Sequence, residues 1–235
     1  MSSIKKKGVI LFLVEGISDK IALSLPMTCL LNRSYVQFQI MHGDCLNRTD
    51  GRTIQIIQSS IRDVMVKYSY RKSDFTRIIH IIDTDGSFIP DRCVYLSKNS
   101  GVEYFSDHIE TGELHETIAR HHRRTAMAEK LAHTEKILGI PYDIYFMSRN
   151  LEHVTQNNGG KVSSSHKVTY AEKFADRFAD DIFAFTDLLY KAGVAAEGDY
   201  LSSWHDIMTG TNSLRRRTNI NFLIEQYFDD VYSVR

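Results

Sequence analysis

Two stretches of the chain are continuous apolar runs that stop abruptly in acids and a glycine. Val9-Ile10-Leu11-Phe12-Leu13-Val14 runs into Glu15-Gly16, and Ile78-Ile79-His80-Ile81-Ile82 runs into Asp83-Thr84-Asp85-Gly86. Runs of this kind predict strands buried on both faces, with their polar ends at the rim of a sheet. Between them, Tyr35-Val36-Gln37-Phe38-Gln39-Ile40 alternates as a strand does and ends at His42-Gly43-Asp44. The three-to-four spacing of Ile54, Ile57, Ile61, Val64, Met65 and Tyr68 predicts an amphipathic helix over 50–70. Ile21, Leu25 and Cys29 place another helix over 18–31, with Ser18 as its N-cap and Pro26 inside it. Strands and helices in this alternation predict an α/β fold: a parallel-sheet core with helices on both faces.

The remaining pattern is less regular. Residues 87–140 read as a partly helical insertion, with short strands at 94–96 and 102–105 and a helix over 113–138. A fourth strand at 142–147 ends in Ser148-Arg149-Asn150-Leu151-Glu152-His153. Residues 156–168 are rich in Gly, Ser and Asn and read as a loop or boundary. Phe174, Phe178, Ile182, Phe185 and Leu189 predict one amphipathic helix over 170–191, followed by helices over 200–208 and 220–232. The expected division is an α/β core over 1–155 and a helical C-terminal region over 156–235.

The acids give this framework its chemistry. Residues two apart in a strand share a side, so Asp83 and Asp85 are expected to form a chelating pair. Glu15 ends the first strand, Gly16 permits a tight exit, and Asp19 falls in the first helical turn, where negative charge suits the helix dipole. Neighbouring parallel strands would bring these four carboxylates to the carboxyl edge, where open α/β sheets bind ligands. Such a cluster is unfavourable without a cation, and oxygen-only donors favour Mg²⁺ or Mn²⁺, with substrate phosphate as a further ligand. Cys29, Cys45 and Cys93 are scattered and form neither a disulfide framework nor a zinc pattern.

The segment Glu15-Gly16-Ile17-Ser18-Asp19, with Asp83-Thr84-Asp85-Gly86 closing a later strand, resembles the TOPRIM domain of topoisomerases, bacterial primases, OLD-type nucleases and small RNA-maturation nucleases. The resemblance covers roughly residues 8–90. It implies magnesium-dependent phosphodiester chemistry centred on Glu15, Asp83 and Asp85. Asp19 looks most like the nuclease branch, in which an aspartate there is a further metal ligand. Where topoisomerases of the family continue the aspartate pair with an arginine and another acid, this chain continues Gly86-Ser87-Phe88-Ile89-Pro90. Some TOPRIM nucleases have a further acid after a later strand, a place Glu152 matches; the alternative is an ordinary first-turn helix residue.

Composition adds constraints rather than a function. With 29 basic and 29 acidic residues among 235, the formal net charge is zero, so any polyanion must be held by local patches. The candidates are Arg123 and Arg124 in the predicted 113–138 helix, Arg149, Lys161 in the glycine-rich stretch, and Arg215, Arg216 and Arg217; solvated helical faces and caps are the competing reading. No apolar run approaches the length needed to span a bilayer, and the expectation is a cytoplasmic protein without membrane contact. The expected function is Mg²⁺- or Mn²⁺-dependent endonucleolytic cleavage of DNA or RNA. No Gly-x-x-x-x-Gly-Lys-Ser/Thr loop is present, so nucleotide-driven control would come from a separate ATPase or sensor, as in anti-phage systems that resemble this arrangement. A homo-oligomer is compatible with the sequence. The rival expectation is a non-catalytic module that uses the same acidic rim to bind nucleic acid or a protein.

Overall fold

The structure is a computed structural model and describes residues 7–32, 34–41, 43–99, 101–156, 164–179 and 181–227. Its centre is a five-stranded sheet of β1 (Val9–Val14), β2 (Tyr35–Ile40), β3 (Phe75–Asp83), β7 (Lys136–Ile137) and β8 (Ile140–Met147), in the order β2-β1-β3-β8-β7. The pairs β1/β2, β1/β3 and β3/β8 are parallel, and only the short β7 runs antiparallel to β8. Leu138 and Gly139, both with positive φ, make the two-residue turn that joins β7 to β8. All six residues of β1 are buried, as a strand covered on both faces requires.

Helices α1 (Ile17–Leu30) and α2 (Thr53–Tyr68) connect the first three strands. Helix α1 buries Ala22, Leu23, Pro26, Met27 and Leu30, whereas Leu25 and Cys29 are exposed. Its inward face is thus displaced from the expected Ile21-Leu25-Cys29 line. The helix begins at Ile17 with Gly16 at the N-cap, two residues earlier than a Ser18 cap would place it. In α2 the expected face is the buried one at Ile57, Ile61 and Val64.

Between β3 and β8 the chain builds a second, three-stranded sheet from β4 (Val94–Leu96), β5 (Val102–Tyr104) and β6 (Ile109–Thr111), then helix α3 (Leu114–Ala132). Ile89, Val94 and Ile109 form a small core there with Leu214. After β8 come α4 (Leu151–Gln156), α5 (Ser164–Ala179), α6 (Ile182–Leu189), α7 (Tyr200–Ile207) and α8 (Ile220–Gln226). The single helix expected over 170–191 is two, because the Asp181 carboxylate accepts a 2.9 Å hydrogen bond from the Ala184 amide and starts a new helix. Its aromatic stripe is core: Phe174, Phe178 and Phe185 pack edge to face.

Helices cover both faces of the sheet. His80 of β3 lies 3.9 Å from the Cys45 sulfur, and the Cys45 carbonyl is bonded by Thr53 at the head of α2. Asp83, of opposite parity in the same strand, instead faces Asp19 of α1 and Lys167 of α5. The sheet order places β1 between β2 and β3, so the chain leaves β1 to one side and returns on the other. The crevice at the carboxyl ends of β1 and β3 is the topological switch point of the sheet.

Candidate active site

Glu15, Asp83, Asp85 and Asp44 lie at or within a few residues of the carboxyl ends of parallel strands, so they reach one edge of the sheet together. Asp19 accepts a 2.9 Å hydrogen bond from the Gly16 amide, which turns its carboxylate back toward Glu15. Glu152 arrives from the first turn of α4, just beyond β8, and is buried. The structure therefore brings Glu15, Asp19, Asp83, Asp85 and Glu152 into one electrostatic cluster, and adds Asp44 from the segment after β2.

Asp83 and Asp85 do not form their pair by strand alternation. The strand ends at Asp83, and Asp85 takes φ +48°. Across from it, Arg149 takes φ +60° at the end of β8. The two left-handed residues are laced together: the Thr84 amide donates to the Met147 carbonyl at 3.0 Å and the Asp85 amide to the Arg149 carbonyl at 3.0 Å. The Arg149 amide donates to Thr84 Oγ1 at 2.7 Å. Uncommon backbone held by such over-determination is found at functional sites. It sends Asp85 toward α3 while Asp83 faces α1 and α5.

Electrostatics divides the cluster accordingly. Arg124 of α3, with a side chain only 1% exposed, sits among Asp44, Glu15 at 3.6 Å and Asp85 at 3.7 Å. It also donates to the Asp83 carbonyl at 2.6 Å. Burial disfavours the Arg124 cation, but Glu15, Asp85 and Asp44 more than offset this and hold it charged. One turn earlier, Arg120 donates to Asp85 at 2.5 Å and lies 3.5 Å from Asp44. On the opposite side Lys167 lies 3.6 Å from Glu152. Six carboxyl groups, Glu15, Asp19, Asp44, Asp83, Asp85 and Glu152, thus face three cations, Arg120, Arg124 and Lys167, among the described residues.

The excess negative charge registers in the acids themselves. Burial, opposed by Arg124 and reinforced by Asp85, Asp44 and Asp19, pushes the Glu15 carboxyl up to about 8. Burial, opposed by the Gly16 hydrogen bond and reinforced by Glu152 and Asp85, pushes Asp19 up to about 6. Asp83 is held well above the usual carboxylate range by burial together with Asp19, Glu15 and Asp85.

The expected phosphate-binding cations are placed differently from one another. Arg124 is a buried counter-ion of the acids rather than an exposed grip on a backbone, because the rim would otherwise hold its charge unneutralised. Arg123 is bonded to Asn47 and Glu116. Arg149 stacks over the Tyr104 ring at 4.5 Å, and Tyr104 in turn donates to the Asp85 carbonyl at 3.3 Å. Arg215 is exposed, whereas Arg216 donates to the carbonyls of Val154 and Thr155, and Arg217 to that of Ala195. The last two tie chain segments together rather than guarding the start of a helix. Lys161 lies outside the described residues. Lys167, expected in a loop, belongs to α5.

One further group near the edge invites a nucleophilic reading and does not sustain it. Cys45 approaches His80, whose other ring nitrogen pairs with the Tyr142 hydroxyl at 2.8 Å. Burial, with Glu15 and Asp44 nearby, pushes the Cys45 thiol up to about 12, and burial pushes His80 down to about 3. A neutral thiol beside a neutral imidazole is packing, not an activated pair.

The acid set fits a hard divalent cation by donor chemistry: it is all oxygen, carries excess negative charge, and leaves buried Glu15 Oε1 and Glu152 Oε1 without a hydrogen-bond partner among the described residues. As placed, no three His, Cys, Asp or Glu side chains of the described residues stand close enough together to enclose an ion. Comparison with protein-family models, curated proteins and solved structures finds no match.

Proposed function

We propose that the chain is a metal-dependent nuclease that hydrolyses phosphodiester bonds of DNA or RNA at the carboxyl edge of its sheet. The observation that carries this reading is the acid cluster at the topological switch point, six carboxyl groups facing three cations among the described residues. The resemblance of Glu15-Gly16-Ile17-Ser18-Asp19 and Asp83-Thr84-Asp85-Gly86 to the TOPRIM nucleases, carried by the same acids, is in keeping with it. Asp19, Asp83, Glu152 and Glu15 would hold Mg²⁺ or Mn²⁺. The bound ion would supply Lewis-acid stabilisation of phosphate charge and an activated water.

The protein's own groups have separable roles in this proposal. Asp85 is bonded by Arg120 and faces Arg124, so it orients the basic side of the site. Glu15, whose Oε1 has no hydrogen-bond partner among the described residues, would serve as a ligand of the ion or as general acid or base at the attacked phosphate. Lys167 offers a partly exposed cation to substrate phosphate. Control by a separate ATPase or sensor, a role in anti-phage defence, and a cytoplasmic location belong to the same proposal. Among the described residues no helix is long and apolar enough to cross a membrane.

One observation favours the rival reading of a non-catalytic binding module: Arg124 already occupies part of the acidic rim. The deciding experiment incubates purified protein with plasmid DNA, single-stranded DNA and total tRNA, each with Mg²⁺, Mn²⁺ or EDTA. Asp83→Asn and Glu15→Gln run alongside. Cleavage that needs metal and falls at least a hundredfold in both variants is expected. Magnesium binding without turnover on any substrate would instead favour the binding module and overturn a nuclease that is active without a partner.

A further inference from the structure

Arg120 belongs to two places at once. Its Nη2 and Nε are turned to Asp85 and Asp44, and Nη1 has no partner among the described residues. Its side chain is 26% exposed, in contrast to the buried Arg124 beneath it. A guanidinium fixed along one edge by carboxylates presents the other edge in a set direction, which is the geometry that suits a phosphate oxygen.

The same side chain lines a cavity of about 260 Å³ between the small sheet and the first turns of α3, together with Val102, Thr111, Glu113, Glu116 and Thr117. Thr111 of β6 and Thr117 of α3 join the two walls by a 2.9 Å hydrogen bond, and Glu113 at the head of α3 is exposed. Its size is that of one nucleoside. A base stacked and paired inside a duplex cannot enter such a space, whereas an unpaired or extruded one can, and a carboxylate on the wall accepts hydrogen bonds from exocyclic amines.

We infer that Arg120 holds the phosphate of an unpaired nucleotide whose nucleoside occupies this adjoining cavity, so that the substrate is single-stranded where it meets the acidic edge. The inference rests on the proposed nuclease reading and adds its substrate class. Arg120 contacts substrate, and Asp85 and Asp44 act through it by fixing its orientation.

The test is fluorescence anisotropy of a labelled oligonucleotide, as single-stranded DNA, single-stranded RNA and the corresponding duplexes, with the full chain in EDTA and in Ca²⁺ buffer. Wild type is expected to bind one of the single strands at least tenfold more tightly than its duplex. Arg120→Gln should bring that ratio close to one and Arg120→Lys should restore part of it. Because Arg120 also supports Asp85, Glu113→Trp serves as a second variant: it fills the cavity without touching the ion network and should erase the same preference. Equal affinity for single strand and duplex, a preference for duplex, no affinity in either buffer, or an unchanged ratio in both Arg120→Gln and Glu113→Trp would overturn the inference. Loss of the inference leaves Asp83-dependent cleavage standing. Loss of Asp83 dependence with the strand preference intact overturns only the nuclease reading.

Discussion

Single acids at the sheet edge control how stability varies with pH. The Glu15 carboxyl is raised from 4.5 to about 8, so its contribution is fully present below about pH 4.5 and is lost as pH rises through 8. Asp83 acts in the same sense. Burial lowers His80 to about 3, and His121 and His153 to about 4, with nearby Arg124, Arg120 and Arg149 contributing for the latter two. These histidines act oppositely: their contribution is present above the ordinary value of 6.5 and is lost as pH falls toward 4. Between pH 6.5 and 8 the acids lose their contribution throughout while the histidines gain only the last part of theirs, so the melting temperature in EDTA should fall as pH rises across that window. Each kcal/mol lost corresponds to roughly 2–4 °C. Glu15→Gln should flatten the decline, and added Mg²⁺ should stabilise wild type most at pH 8. A melting temperature that rises from pH 6.5 to 8 in EDTA would show the edge acids to be ionised without cost. Glu15 and Asp83 were legible in the sequence because each ends an apolar run, whereas nothing in its pattern set Asp44 apart from an ordinary turn residue. Arg124 was not legible, because a buried counter-ion and a solvated helical arginine look alike until the rim they face is assembled.

At the scale of elements, the site depends on how β3 and β8 end. Thr84 is buried, and its hydroxyl accepts the Arg149 amide at 2.7 Å while its own amide donates to Met147. That bond holds the left-handed turns of Asp85 and Arg149 against each other. Thr84→Val keeps the shape but removes the acceptor from a buried amide, at a cost of about 1–3 kcal/mol. The larger consequence should be functional, since Asp85 would no longer be held to Arg120 and Arg124. Chemical denaturation should show the modest destabilisation, and cleavage should fall by at least tenfold. Unchanged cleavage would mean that Asp85 is positioned by its arginines alone. Element boundaries were legible where an apolar period was unbroken, as in β1 and α2. They were misjudged where a local cap intervened, as at Asp181, or where alternation was extended past the end of a strand, as at Asp85.

For the whole molecule, the helical C-terminal region completes the sheet. Beyond its two-residue contact with β7, the outer edge of β8 is bonded by residues far along the chain. Tyr200 bonds both backbone groups of Ile144, Asn219 accepts from the Phe146 amide at 2.8 Å, and Thr218 donates to the Phe146 carbonyl at 2.7 Å. The Ser148 amide donates to the Arg217 carbonyl at 2.8 Å. One buried core runs from Val9 and Phe12 through Phe146 to Phe174, Phe178, Phe185 and Leu223. A composition shift at 156–168 suggested a boundary in the sequence, but composition does not reveal which strand edge a later segment covers. Burying Phe174, Phe178 and Phe185 contributes on the order of 5–9 kcal/mol, comparable with the whole stability of an ordinary domain. A fragment of residues 1–156 should therefore lack a cooperative melt and a near-ultraviolet circular dichroism signal, although its sheet-forming segments are all present. Co-expression with residues 157–235 should restore both. A fragment that melts cooperatively alone would show the α/β core to be self-sufficient and the C-terminal helices to be an appended unit.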